Sequence, residues 1–425
     1  MKRYPAYKDS GIDTIGNIPA QWKCCKIKQS THFLYGQSLP NEIRVEGKVP
    51  VYGSNGITGY HNEAITKAPC IIIGRKGSFG KVQYSPCKCY PIDTTFYIDK
   101  SATDNELHWL YYLLVHLKLD AFSKDSAVPG INREELNEHI IPLPDKTEQV
   151  FISNFLDHKT RLIDTLIEKK QKLVELLQEK RTALISHAVT KGLNPKAKMK
   201  DTGIEWLGKV PEHWDVKRLK HVLKRTKGAL KTGPFGSQLK NEDFVETGVK
   251  VYNQKTVLNN DFESGEIFIS PEKFELLKSF EVHPGDVLIT SRGTIGKCAI
   301  VPDDCVTGVL HPCLIRFQAD QTLVLNDFMK WFIQEAECFI NNVLFESDAT
   351  TIEVIYSDTL KNIYIPVPPL TEQKEILKYC SKSSQTIDKS INKLKTQLTA
   401  LNEYRTTLIS DVVTGKIDVR DEVIP

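Results

Sequence analysis

The residues from Lys8 to Trp22, KDSGIDTIGNIPAQW, return as KDTGIEWLGKVPEHW from Lys200 to Trp214, 192 positions later. A self-similarity of this kind constrains the fold more than any local pattern, because it makes the architecture a repeat of one unit. It is not confined to the phrase. EHIIPLPDKTEQ after Asn137 reappears as NIYIPVPPLTEQ after Lys361, so Pro142, Pro144, Thr147, Glu148 and Gln149 match Pro366, Pro368, Thr371, Glu372 and Gln373 at an offset of 224. The offset holds without gaps through Ile163-Asp164 and Ile387-Asp388, Arg181-Thr182 and Arg405-Thr406, and Val189-Thr190 and Val413-Thr414. The order is phrase, unlike block, Pro-Thr-Glu-Gln helix, and then all of it again. The second block is longer, which is why the offset grows. At 425 residues more than one core is expected in any case.

The helical segments have clear limits. Pro142, Pro144, Pro366, Pro368 and Pro369 are expected to stop any preceding strand and leave an extended entry. Thr147 and Thr371 sit where an N-cap would, with Glu close behind to favour the positive helix end. From there each copy is free of Pro and Gly until Gly192 and Gly415. In the second copy Ile387, Ile391, Leu394, Leu398, Leu401, Leu408 and Val412 step by fours, threes and a seven, a heptad seam. Ile163, Ile167, Val174, Leu177, Leu184 and Ala188 are the equivalents in the first. One such helix cannot bury its stripe alone, so two in one chain predict an intramolecular coiled coil, and the long block between them favours an antiparallel pair. Arg181 and Arg405 break the seam at the same place in both copies. They are either long side chains snorkelling off its edge or residues that set register or dock a partner.

The divergent blocks, residues 23–141 and 215–365, mix strand-like runs (Cys70–Ile73, Phe96–Ile98, Asp286–Ile289, Leu314–Phe317) with helix-like ones (His108–Leu114, Phe328–Ile333). IIIGRKGSFGKV, Ile71–Val82, parallels VLITSRGTIGKC, Val287–Cys298. A phosphate-binding P-loop is excluded by spacing, since Gly74 and Gly80 have five residues between them and Val82 or Cys298 replaces the metal-binding hydroxyl. Two readings stay open: a tight strand-turn-strand, or a glycine turn that presents Lys and hydroxyl groups to phosphates or base edges. Local charge bears on the choice. The net charge is only +3, yet Ala64–Ile92 and Val216–Lys240 hold five and eight Lys or Arg with no acid. Two such runs, one in each half and each beside a Gly-rich loop, point to a polyanion. The candidate contacts are Tyr52, Ser54 and Asn55 in YGSNG, then Arg75, Lys76, Ser78 and Lys81. In the second half they are Lys231, Phe235, Ser237, Gln238 and Lys240 around GPFGSQLK, then Arg292, Thr294 and Lys297.

Much else is missing. The ten cysteines form no CxxC pair, so zinc spacing is absent and reduced thiols are expected. MKRYPAYKDSG has no apolar signal region, and no apolar run is long enough to span a membrane. Asn/Asp-Pro-Pro-aromatic, HExxH and GxSxG motifs are all absent. The chain reads as a recogniser with no chemistry of its own.

The opening phrase and its repeat, IPLPDKTEQ with IPVPPLTEQ, and EKRTALISHAVTKG with EYRTTLISDVVTGKIDVR resemble the DNA specificity subunit of type I restriction-modification enzymes. The likeness spans essentially the whole chain. It implies an α+β fold with two pseudo-repeated α/β target recognition domains, residues 1–145 and 196–369. Two long spacer helices, 146–195 and 370–425, would join them as an antiparallel intramolecular coiled coil. Each recognition domain would read one half of a bipartite, asymmetric double-stranded DNA target. The helices would set the gap and dock two methylation subunits, with Arg181 and Arg405 as candidate docking residues and restriction subunits present in the full complex. S-adenosylmethionine and ATP would belong to those partners, so this chain is expected to be a non-catalytic cytoplasmic subunit without a cofactor. The phrase would start each recognition domain and pack on the helix ends. Lys191-Gly192 reverses the order of Gly415-Lys416, a departure that touches only the helix exit. The competing reading is a coiled-coil scaffold that joins two protein-binding domains.

Overall fold

The two Pro- and Gly-free runs form the longest elements of the protein. The computed structural model describes residues 2–11, 15–122, 130–235, 237–265, 267–347 and 354–422. Its helices are α1 (Leu107–His116), α2 (Arg133–Glu138), α3 (Lys146–Lys191), α4 (Gln254–Asn259), α5 (Pro271–Leu277), α6 (Asn326–Glu335), α7 (Glu337–Ser347), α8 (Ser357–Asn362) and α9 (Leu370–Val413). At about 1.5 Å per residue, α3 and α9 are rods of roughly 65–70 Å. Among the described residues no helix is long and apolar enough to cross a membrane.

Two local expectations need correction. Thr147 and Thr371 do not cap these helices. The Gln149 and Gln373 N–H groups already donate to the carbonyls of Asp145 and Pro369, both at 2.9 Å, which puts the threonines inside the first turn. At α3 the Asp145 carboxylate does the capping, accepting the Glu148 N–H at 2.9 Å, and its charge suits the positive helix end. Pro142 and Pro366 also do not stop strands. They lie inside Ile140–Leu143 and Tyr364–Val367, which pair antiparallel with Lys23–Lys26 and Asp215–Arg218. In a ribbon of two strands each residue has one unpaired side, so the missing N–H is tolerated.

The chain forms two compact units, Met1–Lys172 with Leu394–Pro425, and Leu173–Lys393. The division falls within α3 and α9 because the middle of each rod buries only a narrow seam, whereas the helix ends are part of a core. In the first unit α3 contributes Ile152, Phe155 and Leu156, and α9 contributes Leu408, Ile409 and Val412, to a cluster with Trp22, Phe96 and Trp109. In the second, Ile185, Ala188 and Val189 of α3 and Ile376 and Cys380 of α9 join Trp214, Phe317, Phe328 and Phe332. Both units have the helices antiparallel. Asp164 and Lys170 oppose Arg405 and Gln397 in the first, and Arg181 opposes Ser384 in the second.

The unlike blocks share a topology. The first unit has an antiparallel sheet ordered Leu34–Tyr35, Thr95–Asp99, Cys70–Gly74, Val82–Ser85; the second has Leu230–Thr232, Leu314–Phe317, Val287–Thr290, Cys298–Ile300 in the same order. α1 and α6 cover these sheets. The extra length of the second block supplies α4 and α5.

The repeated motifs have repeated jobs. Gln149 is buried and its amide oxygen accepts the Glu106 N–H at the start of α1 (2.8 Å), while its amide nitrogen donates to the Pro144 carbonyl and to Asn105 Oδ1, each at 3.1 Å. Gln373 accepts the Leu325 N–H at the start of α6 (2.9 Å) and donates to the carbonyls of Leu323 (2.9 Å) and Pro368 (2.8 Å). One side chain thus ties α1 to the entry of α3, and another ties α6 to the entry of α9. The opening phrase forms a hairpin in both copies, Tyr7–Asp9 with Asn17–Pro19 and Met199–Asp201 with Lys209–Pro211. Each hairpin leads into a fully buried tryptophan, Trp22 or Trp214, at the exit of a long helix. After α9, Gly415 has φ +75° and a Cβ there would sit 2.4 Å from Pro19 and 3.1 Å from Trp22. The first phrase therefore packs on the end of the C-terminal helix, and the second on the end of α3, where Trp214 also donates to Glu372 Oε2 at 2.9 Å.

Candidate nucleic-acid interface

The two glycine loops are strand-turn-strand connections. Ile73 faces Val82 and Ile289 faces Cys298 in antiparallel register, and the turns close through Gly80 N–H to Gly74 O (2.9 Å) and Gly296 N–H to Thr290 O (3.0 Å). Gly80 is demanded by sterics: φ is +80°, and a Cβ would meet the Asp120 backbone nitrogen at 2.3 Å. The turn has a structural cause, and its side chains are still free to act. Lys76, Ser78 and Lys81 in the first loop and Arg292, Thr294 and Lys297 in the second are all exposed.

In the first unit the structure brings several candidates together. Lys81 Nζ donates to the Asn55 carbonyl (2.9 Å) and to Asn55 Oδ1 (3.0 Å), joining the YGSNG turn to the glycine loop. Two members of that turn are taken into the fold instead. Tyr52 is 8% exposed and packs with Cys70, Ile72 and Cys89, and burial pushes its phenol up from the ordinary value. Ser54 is also 8% exposed and its hydroxyl donates to the Thr94 carbonyl at 2.7 Å. The reason is that Val49–Gly53 is the central strand of a three-stranded sheet, covered on both faces. Asn55 is what the turn leaves on the surface.

Arg75 is placed differently. Its guanidinium lies over the Tyr35 ring at 5.2 Å and the Phe96 ring at 5.7 Å. Arg133, at the first position of α2, lies over the same Tyr35 ring at 4.8 Å. Tyr35 and Arg133 carry no sequence signal that singles them out. Tyr35 ends a two-residue strand, and Arg133 sits in the acid-rich stretch NREEL.

The second unit's candidates are more dispersed. Lys231 Nζ lies 4.6 Å from the centre of the Phe280 ring. Phe235 is 70% exposed, and its N–H donates to Gln238 Oε1 at 3.2 Å. Lys240 pairs with Glu242 at 3.3 Å, and Ser237 is exposed beside it. Among the described residues, no hydrogen bond, ion pair or ring contact joins the 235–240 loop to the 292–297 loop. Gln254, at the start of α4, lies beside Gly293 and was not among the residues read from the sequence.

Arg181 and Arg405 are engaged within the chain. Arg405 holds Asp164 through Nε (2.7 Å) and Nη2 (3.2 Å). Burial is the largest influence and works to lower its pKa, but the Asp164 hydrogen bond and the attraction of nearby acidic groups, Asp164 first, together raise it. Arg181 meets Glu335 of α6 at 2.8 Å, Ser384 Oγ at 2.9 Å and Asp388 at 3.3 Å, with its charge over Trp331. Asp164 and Asp388 are themselves repeat partners, so one Arg–Asp pair occurs twice with the helices exchanged. In each unit the arginine joins one long helix to the other.

Comparison with known proteins gives a consistent picture. The family model for the type I restriction modification DNA specificity domain matches residues 19–176 and 211–400. A Haemophilus influenzae protein assigned as a type I restriction enzyme specificity subunit is 26% identical over 369 residues, covering 83% of this chain and 84% of its own. The MjaVIII specificity subunit of Methanocaldococcus jannaschii is 25% identical over 320 residues, covering 73% and 71%. Among solved structures, a chain from the assembly of a type I R-M system has a TM-score of 0.71 at 13% identity, covering 94% of this chain and 99% of its own. The HsdS subunit of Thermoanaerobacter tengcongensis has a TM-score of 0.50 at 14% identity, covering 94% and 98%. At such identities the structural likeness is one of fold.

Proposed function

The chain belongs to the type I restriction modification DNA specificity family, and from that premise we propose that it reads a bipartite, asymmetric double-stranded DNA target, one half-site per unit. The observation that carries this is the pairing of like frames with unlike surfaces. Both units hold the same sheet order, the same glycine turn and the same glutamine anchor, yet present different cationic and aromatic side chains around the turn. A repeated frame suits two stretches of duplex of the same shape, and unlike side chains suit different bases. In the first unit Asn55, Arg75, Lys76, Ser78 and Lys81 are the contacts; in the second they are Lys231, Phe235, Ser237, Gln238, Lys240, Arg292, Thr294 and Lys297. α3 and α9 set the separation of the half-sites, and their outer faces dock methylation subunits, two in number, with restriction subunits joining the complete enzyme. Methyl transfer and cleavage belong to those partners.

Methylation mapping tests the proposal. Cells that carry this gene with its native methylation subunit are sequenced by a modification-sensitive long-read method, beside cells lacking this gene alone. A split motif that loses its methyl marks in the deletion is the expected result. If no motif changes, the chain does not direct methylation and the scaffold reading takes over.

A further inference from the structure

In the first unit two cations have no neutralising partner among the described residues. Arg75 and Arg133 both lie over the Tyr35 ring, so their charges are at most about 10 Å apart. Neither guanidinium has a hydrogen bond or ion pair among the described residues. Glu134 and Glu135 share the first turn of α2 with Arg133 and pair with neither arginine. Arg133 also stands at the N-terminal end of its helix, where the dipole disfavours a cation. With Lys76 and Phe96 these residues line a surface recess of about 340 Å³. Tyr35 itself is 45% exposed. A guanidinium resting on an aromatic ring keeps its in-plane N–H fork free.

The second unit shows which of these features belong to the frame. Equivalent positions follow from matching hydrogen bonds. Arg75 N–H donates to Thr94 O and Ser291 N–H to Cys313 O, both at 2.9 Å; Ile131 N–H donates to Arg75 O at 3.0 Å and Ile355 N–H to Ser291 O at 2.8 Å. Phe96 faces Ile73 as Ile315 faces Ile289, and Tyr35 pairs with Phe96 as Thr232 pairs with Ile315. So Ser291 stands for Arg75, Thr232 for Tyr35, Ile315 for Phe96, and Ser357, two residues past Ile355 as Arg133 is past Ile131, for Arg133. None of these four second-unit residues is a ring or a guanidinium, so that half has neither the platform nor the fork. Phosphate contacts serve any sequence, so a repeated frame has reason to keep them in both halves. Lys76 and Arg292, at equivalent positions in the isolated bridges to Gly130 and Val354, are of that kind. A group present in one half and replaced in the other is a sequence reader.

We propose that Arg75 and Arg133, held over the Tyr35 ring, are the base-reading side chains of the first unit and that they select guanine. This rests on the DNA-reading function proposed above and goes further by assigning residues and a base. Guanine presents O6 and N7 side by side in the major groove, which fits a planar two-pronged donor and which adenine, cytosine and thymine lack. The half-site of the first unit therefore contains a G·C pair that the second unit's equivalent residues do not read.

The test uses the full chain with its native methylation subunits and the same long-read mapping, comparing wild type with Arg75→Ala, Arg75→Lys, Arg133→Ala and Tyr35→Leu. The expected result is relaxation at one or two G·C positions of a single half-site, with the other half-site unchanged. Discrimination there should fall on the order of 10- to 100-fold. Arg75→Lys keeps the charge but not the fork, so it should relax the same position while the complex still methylates. An Arg75→Lys motif identical to wild type overturns the inference, even if Arg75→Ala abolishes methylation through misfolding. Uniformly weaker methylation with an unchanged motif also overturns it, because that is the signature of a phosphate contact. If the wild-type chain directs no split motif, the DNA-reading premise has failed, and the inference falls with it.

Discussion

Replacing Gln373 with leucine should loosen the junction between α6 and α9 by a calculable amount. The side chain is fully buried and makes three hydrogen bonds, to the Leu325 N–H and to the carbonyls of Leu323 and Pro368. Leucine has nearly the same volume but leaves one donor and two acceptors buried without partners. Each costs about 1–3 kcal/mol, the carbonyls at the lower end because they have a second lone pair. Leucine returns about 1 kcal/mol of apolar burial, so the net loss is about 3–5 kcal/mol. Hydrogen exchange reads it directly. Protection of the 320–330 segment should fall roughly a thousandfold if the Leu325 amide opens through this junction, and the melting temperature of the second unit should drop by on the order of 10 °C. Gln373→Glu keeps the acceptor but points a carboxylate at two carbonyls. It should be worse than leucine at pH 8 and recover as pH falls, since a protonated acid can donate again. Unchanged exchange in 320–330, or a loss under 1 kcal/mol, would refute the anchoring role.

Gly415→Ala should destabilise the first unit by about 2–4 kcal/mol, from left-handed backbone plus the 2.4 Å approach to Pro19; Gly192→Ala, whose nearest neighbours lie at 3.1 and 3.2 Å, should cost the second unit about 1–2 kcal/mol, and chemical denaturation ranks the pair. His108 pairs with Asp157 at 2.6 Å, and that hydrogen bond raises its pKa above the ordinary 6.5. The stability it adds is complete below pH 6.5 and lost as pH rises through the raised value. The gap between wild type and His108→Gln should therefore close on going from pH 6 to pH 9. Taking the difference removes His116 and His139, whose pKa values burial shifts the opposite way. Lys76→Ala, at an exposed phosphate-type position, should lower the slope of log K against log salt by about one without altering the methylated motif, as DNA-binding titrations at several salt concentrations would show.

The sequence by itself determined the elements whose causes are local. A heptad seam with no Pro or Gly specifies a helix wherever it stands, and α3 and α9 run from just after the proline-rich entries to just before Gly192 and Gly415. Runs such as Cys70–Ile73 and Leu314–Phe317 are strands for the same kind of reason. Duplication was legible because equal jobs kept equal residues, though the job of Gln149 and Gln373 was not, since the partners that tie them to α1 and α6 lie 43 to 50 residues away in the chain. Capping was misplaced by two residues in the first copy because Asp145 competes with Thr147, and only the backbone hydrogen bonds decide between them. The candidate site depends most on the fold. Tyr52 and Ser54 look like any polar turn until a central strand buries them. Tyr35, Arg75, Phe96 and Arg133 come from four separate segments, and each is unremarkable within its own. Tertiary structure decides such clusters because a cation over a ring is a contact in space, between residues whose spacing along the chain has no period to reveal it.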